Sequence, residues 1–260
     1  MQKKPLILVT NDDGIVAPGI RALIEIASQF GEVVVIAPDS PQSGQGHAIT
    51  IHEPIRLKKM RLFDGIEAYE CTGTPVDCVK LAKNVVLRDR KIDLCLSGIN
   101  HGSNAAVNII YSGTMSAAME ASIEGIDSIG FSLDDFSFDA DFEASIHYGK
   151  EIVDAVLKNG LSPQCKLLNV NIPKGSIEDI KGIRVCKQGE GRWVEDFQEG
   201  IDPRGEKYYW LTGKFVNPTL EPSTDLYALE HQYISIVPSG HDLTVYNAIV
   251  DLQHLNSNKL

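Results

Sequence analysis

Within the first 37 residues, two short β-branched runs flank one amphipathic stretch, and that arrangement leaves few folds open. Residues 7–9 (Ile-Leu-Val) and 32–37 (Glu-Val-Val-Val-Ile-Ala) lack the apolar-polar alternation of a half-exposed strand, so both read as buried strands. Between them Pro18-Gly19 opens a helix, with Ile20, Leu23, Ile24 and Ile26-Ala27 on its apolar face and Gly31 at its close. A strand, helix, strand unit crosses over right-handed and makes its strands parallel.

The first run ends abruptly in Asn11-Asp12-Asp13-Gly14. In an open α/β sheet the carboxyl ends of the strands are where ligands bind. Two adjacent carboxylates repel each other and call for positive charge, most simply a hard divalent cation. The same four residues also make a good turn, because Asn and Asp bond locally and Gly supplies positive φ.

Further along, residues 48–60 and 67–71 alternate and read as exposed or edge strands, with a hairpin across Asp64-Gly65. Thr74 as N-cap and Pro75 as first helical residue open a helix that carries Val79, Ala82 and Val86 on one face. Residues 92–96 are a buried strand running into the polar loop Ser97-Gly98-Ile99-Asn100-His101-Gly102-Ser103-Asn104. A small-residue helix follows from Gly113 or Thr114 to Glu124, then a strand over 128–133, an amphipathic helix over 142–157 and a strand over 166–172. Beyond about residue 176 the alternation weakens: strands over 183–187, 207–211 and 233–237, a short helix over 225–231 and a final helix over 243–255 are expected. The fold class is α/β, with a mostly parallel sheet and a β-rich C-terminal extension.

Charge narrows the partners. Lys and Arg number 24 against 35 Asp and Glu, a net charge of −11, which argues against broad binding to nucleic acid or an anionic membrane. A small anionic ligand remains open if a metal or backbone amides supply local positive charge. The cysteines are odd in number and none forms Cys-x-x-Cys, which points to a reducing, cytoplasmic setting. The apolar run after Met1-Gln2-Lys3-Lys4 is too short for a signal-peptide core.

Three loops follow buried strands: the Asp12-Asp13 turn, the loop 38–47 with Ser43, and the Asn100 loop. If the strands are parallel neighbours, the loops converge at the switch point of the sheet and offer two carboxylates, a hydroxyl and an amide. Such oxygen donors suit Mg²⁺, Mn²⁺ or Ca²⁺ better than zinc. Tyr111-Ser112-Gly113-Thr114 at a helix start offers free amides and hydroxyls to a phosphate, or is simply an N-cap. His47 and His101 read as polar loop residues, and Trp193 with Tyr208-Tyr209-Trp210 as core or interface aromatics. No dinucleotide glycine fingerprint, Walker motif or nucleophile elbow occurs, so a dinucleotide-dependent oxidoreductase ranks low.

Taken together, Val9 to Gly14, Ala37-Pro38-Asp39 with Gln42-Ser43-Gly44, Cys71 to Cys78, Ser97 to Asn100 with Gly102 and Asn104, Tyr111 to Thr114, and Leu168-Asn169-Val170-Asn171-Ile172-Pro173 resemble the SurE family of survival-protein nucleotidases, in the family's order. Tyr209-Trp210 and Thr224-Asp225 look like its weaker C-terminal signatures. The resemblance implies a Rossmann-like three-layer core over 1–175 and a C-terminal extension over 176–260 with a terminal helix, part of the same structural unit and used to build homodimers or homotetramers. It implies a metal-dependent phosphatase acting on nucleoside monophosphates, in some members on 3′-nucleotides or polyphosphate. One divalent cation per subunit, Mg²⁺ or Mn²⁺, would be held by Asp12, Asp13, Ser43 and Asn100. Substrate contacts would come from Asn11, Asn104, Ser112, Gly113 and Thr114, and catalysis from Asp12, Asn100 and Ser112. The alternative is a non-enzymatic nucleotide or phosphate sensor in the same crevice. Departures from the family pattern are Asn108 for an acidic residue, Ala105 and Ala106 for glycines, and Gln232 for the Gly of Gly-Tyr.

Overall fold

A computed structural model describes residues 4–137, 139–219 and 221–256. The basic start at Met1-Gln2-Lys3 lies outside them. In chain order the sheet elements of the first half are β1 (Leu6–Thr10), β2 (Glu32–Pro38), β3 (Leu57–Met60), β4 (Glu67–Cys71), β5 (Leu94–His101), β6 (Ser128–Asp134) and β7 (Leu167–Pro173). Interleaved with them are α1 (Pro18–Ser28), α2 (Pro75–Leu81), α3 (Asn108–Tyr111), α4 (Gly113–Ile123) and α5 (Glu143–Asn159). The last third adds β8 (Ile183–Val185), β9 (Arg192–Ile201), β10 (Lys207–Val216), α6 (Asp225–Glu230), β11 (Ile234–Ser239) and α7 (Ala248–Asp251).

One nine-stranded sheet runs in the order β3-β4-β2-β1-β5-β6-β7-β11-β8. The strands from β4 to β7 are parallel, while β3 and β11 join its two flanks antiparallel. Chain order reverses between β1 and β5, because the chain first builds outward through β2 to β4 and then returns to the far side of β1. That reversal opens the crevice at the carboxyl ends of β1 and β5.

The period-2 alternation of side chains fills both faces. Ile7 and Val9 pack with Leu23 and Ile26 of α1 and with Ile152 and Val153 of α5. Leu6 and Leu8 face Cys78 and Val79 of α2 and Ala117 and Ala121 of α4. A sheet covered on both faces explains why the strands read as unbroken apolar runs. Helix α2 starts as expected: Asp77 N donates to Thr74 Oγ1 at 3.2 Å and Thr74 N to Asp77 Oδ2 at 2.9 Å, a reciprocal capping box.

Four expectations are corrected. Residues 48–56 form no strand, and only Leu57–Met60 pairs with β4. Strand β5 does not stop at Leu96 but continues through the polar residues to His101, with a register shift between Ser97 and Asn100. Between β8 and β10, where no strand is expected, Arg192–Ile201 pairs along its whole length with β10. Its side chains are almost all exposed, so the ribbon carries no core-facing pattern that a sequence could display. The expected final helix shrinks to Ala248–Asp251 and a 3₁₀ turn over Gln253–Leu255. Among the described residues no helix is long and apolar enough to cross a membrane.

Candidate active site

Asp12 leaves the end of β1 directly into the protein, only 3% exposed. Thr114 Oγ1 of α4 donates to Asp12 Oδ1. A Cβ at Gly113 would sit 2.7 Å from the Cβ of Asp12, so the glycine is what lets this carboxylate rest against the start of α4. Burial pushes Asp12 up from 3.8 to about 6; the charge of Asp13 adds to the rise and the Thr114 hydrogen bond opposes it. Asp13 is more open, and the Nδ1 of His101 lies 3.5 Å from its Oδ2. The His101 ring stands edge-on to Phe142, with centroids 5.2 Å apart. His101, expected as an ordinary loop residue, is thus the only side chain within ion-pair distance of either aspartate among the described residues.

The loop after β2 is tied to this turn, since Gln42 N donates to the backbone oxygen of Asp12 at 2.8 Å and Gly46 N to that of Tyr111 at 3.1 Å. These bonds carry the exposed Ser43 to the rim. Asn100 reaches the same place from β5. The bulge there re-aims the end of the strand, and Asn100 Nδ2 donates to the backbone oxygens of His101 (3.1 Å) and Gly102 (2.8 Å). The amide oxygen of Asn100 is then the atom left to serve a ligand. Asp12, Ser43, Asn100, Asn104 and Ser112 all line one cleft of about 230 Å³.

Three of the expected substrate contacts are packed within the protein. Thr114 is fully buried and its hydroxyl is committed to Asp12, whose carboxylate it orients. Asn11 is 1% exposed and its Nδ2 closes the turn onto Gly14 O at 2.9 Å. Gly113 is likewise buried against Asp12. Ser112 is the N-cap of α4, accepting from Met115 N at 3.0 Å, yet it remains at the cleft wall with its hydroxyl proton available.

Asn104 lines the cleft but is mostly held from behind. Its N donates to Asn171 Oδ1 at 2.7 Å, its Nδ2 to Ser132 Oγ at 2.8 Å, and its oxygen accepts from Asn169 at 2.9 Å. The carboxylate of Asp225, fully buried, accepts from the backbone of Ala106 and of Gly189, each at 2.8 Å. Asn169, Asn171 and Asp225 brace the loop after β5, a role that residue type alone does not announce; their polarity inside otherwise apolar segments is the signal.

The donor set fits a hard cation. The Asp12 carboxylate, an amide oxygen and a hydroxyl line the cleft with no Lys or Arg among its lining residues; Asp13, expected in the same set, does not line it and lies next to it through His101, a lining residue whose Nδ1 is 3.5 Å from Asp13 Oδ2. The buried Oδ1 of Asn11 has no hydrogen-bond partner, and neither do Thr10 Oγ1 and Ser97 Oγ, register partners where β1 meets β5. Buried polar atoms without partners are costly and mark places where a ligand or water completes the bonding.

The family described as Survival protein SurE matches residues 7–195. A relative from Christiangramia forsetii called 5′-nucleotidase SurE is 55% identical over 259 residues, 99% of either chain. Another of that name from Flavobacterium johnsoniae is 56% identical over 259 residues, 99% of this chain and 98% of its own. The crystal structure of a SurE protein from Aquifex aeolicus superposes with a TM-score of 0.83 at 41% identity, covering 97% of this chain and all of the other.

Proposed function

The chain belongs to the SurE family, and from that premise we propose that it is a 5′-nucleotidase, a divalent-metal-dependent phosphatase that converts nucleoside monophosphates to nucleoside and phosphate. The observation that carries the reading is the convergence of Asp12, Ser43, Asn100 and Ser112 on one cleft at the switch point of the sheet. Asp12, Asp13, Ser43 and Asn100 would hold the cation, Mg²⁺ or Mn²⁺. Bound there, it supplies Lewis-acid charge to the phosphoryl group.

The chain's own groups do the rest. Ser112 donates its hydroxyl proton to a phosphate oxygen while its own oxygen stays anchored by Met115 N. Asp12, held in one orientation by Thr114, takes a proton from the attacking water as the new P–O bond forms in line with the departing one. The nucleoside oxygen, on the far side of phosphorus, takes a proton from solvent as the old P–O bond breaks, and Asp12 returns its own proton to solvent. His101, from the cleft wall, stands beside Asp13 and orients it. The competing route is attack on phosphorus by Asp12 itself, through a phospho-aspartyl enzyme.

The ribbon of β9 and β10 leaves large apolar side chains in water: Tyr209 is 58% exposed, Trp210 66% and Leu211 63%. A two-stranded ribbon standing alone is marginally stable, which supports homodimers or homotetramers in which copies of the chain cover it.

Phosphate release over a panel of nucleoside monophosphates tests the reading. Release in Mn²⁺ or Mg²⁺, its loss in EDTA and its loss in Asp12→Asn are expected. Nucleotide binding without phosphate release under any metal would make the protein a sensor instead. Release of phosphate from 3′-nucleotides or polyphosphate in the same assay would show the wider activity found in part of the family.

A further inference from the structure

Resting on the reading of the crevice as a phosphomonoester site, we propose that the apolar cavity beside it is the nucleoside pocket, with Trp193 and Phe136 as the platform on which the base stacks. The phosphate-sized cleft of about 230 Å³ and a neighbouring cavity of about 340 Å³ share Ser103, Asn108, Phe136 and Trp193 as a common wall. The second cavity is closed by Phe215, Leu226 and Leu229, with the carboxylates of Asp134 and Glu230 also on its lining. One ligand can therefore place an anionic end against Asp12, Asn100 and Ser112 and a flat, apolar-faced end among the aromatics. A nucleoside monophosphate has that shape, and a sugar phosphate has only half of it. The carboxylates suit a base whose edge carries N–H donors, and the size suits a purine.

Neither aromatic is placed there by the needs of the core. Trp193 is 45% exposed and Phe136 76%. Both are nevertheless pinned. Trp193 Nε1 donates to Asn108 Oδ1 at 2.8 Å, and its ring meets that of Phe215 edge-on at 5.6 Å. The ring of Phe136 lies over Gly102, so close that a Cβ there would sit 2.2 Å from it, which seats the ring on the loop that carries Asn100. Rigid aromatics facing water beside a reactive cleft gain by stacking a base, and stacking tolerates any base because every base has a π face. The amide oxygen of Asn108 is the acceptor that holds the indole.

The test compares a purine nucleoside 5′-monophosphate with ribose 5-phosphate in Mn²⁺. The preference for the nucleotide, as a ratio of kcat/KM values, falls at least about tenfold in Trp193→Ala and in Phe136→Ser, chiefly through KM, while Trp193→Phe retains most of it. Asn108→Ala gives a smaller fall. The protein has two tryptophans, so in a Trp210→Phe background the fluorescence of Trp193 reports directly: the nucleotide quenches it and ribose 5-phosphate does not. An unchanged preference in both Trp193→Ala and Phe136→Ser, or equal quenching by the two ligands, overturns the pocket. The two readings fail separately. Hydrolysis of both substrates with no preference for the nucleotide and no selective quenching leaves the phosphatase and removes the pocket. Selective quenching with no hydrolysis leaves the pocket and removes the phosphatase.

Discussion

Asp12→Asn in the metal-free protein tests whether the crevice is built around a cation. Asparagine keeps the oxygen that accepts from Thr114 and nearly the same volume, so only the charge is lost. The folded-state rise from 3.8 to about 6 comes chiefly from burial. At ~1.4 kcal/mol per pH unit, ionised Asp12 then costs roughly 3 kcal/mol of folding stability. Because the folded value lies above the unfolded one, the favourable contribution is complete below about pH 4 and is lost as pH rises through about 6. Urea unfolding in EDTA should show Asp12→Asn gaining about 2–3 kcal/mol on the wild type between pH 4 and pH 7.5. Adding Mn²⁺ at pH 7.5 should stabilise the wild type by RT ln(1 + [L]/Kd), about 2.7 kcal/mol at a hundredfold excess over Kd, and the variant far less. A pH-independent difference between the two proteins, or equal stabilisation by Mn²⁺, would refute the argument that an uncompensated buried carboxylate waits there for a cation.

Gln232 adopts φ 62°, a left-handed conformation that favours glycine, and its Oε1 is buried without a partner. Gln232→Gly should raise stability by about 1 kcal/mol, seen as a higher melting temperature; a lower one would show that the side chain is held by contacts worth more than the strain. Asp225→Ala strips acceptors from Ala106 N, Gly189 N and Leu226 N. A loss of at least about 3 kcal/mol and faster amide exchange at Ala106 are expected, and unchanged exchange there would remove Asp225 from its bracing role. Trp210→Glu with Leu211→Glu puts a charge on each face of the ribbon. Light scattering should show a smaller particle than the wild type; a wild type that is already monomeric at micromolar concentration would end the self-association proposal.

Much of the molecule is written locally. Ile7 to Val9 and Val33 to Ala37 announce strands covered on both faces, Thr74-Pro75 and Ser112 announce helix starts, and each of these elements lies where its residues place it. The positions of Asp12, Ser43 and Asn100 around one cleft follow from the parallel order of β2, β1 and β5. What the residues did not disclose depends on neighbours distant in the chain. Strand β5 runs on through Ser97 to His101 because β6 supplies its hydrogen bonds, and polar side chains hide that pairing from any hydrophobic pattern. Strand β9 is invisible for the opposite reason: it has a partner in β10 but no core, so nothing requires its side chains to alternate.

The sequence by itself determined a doubly covered parallel sheet and the donor chemistry of its carboxyl edge, since both rest on residue type and period. Tertiary structure decided which donors face the cleft. Thr114, two residues from Ser112 on the same helix start, turns inward to Asp12 while Ser112 stays at the wall. Asp12, in the acidic turn with which β1 ends, is buried because α4 and the loop after β2 close over it from more than a hundred and about thirty residues away along the chain.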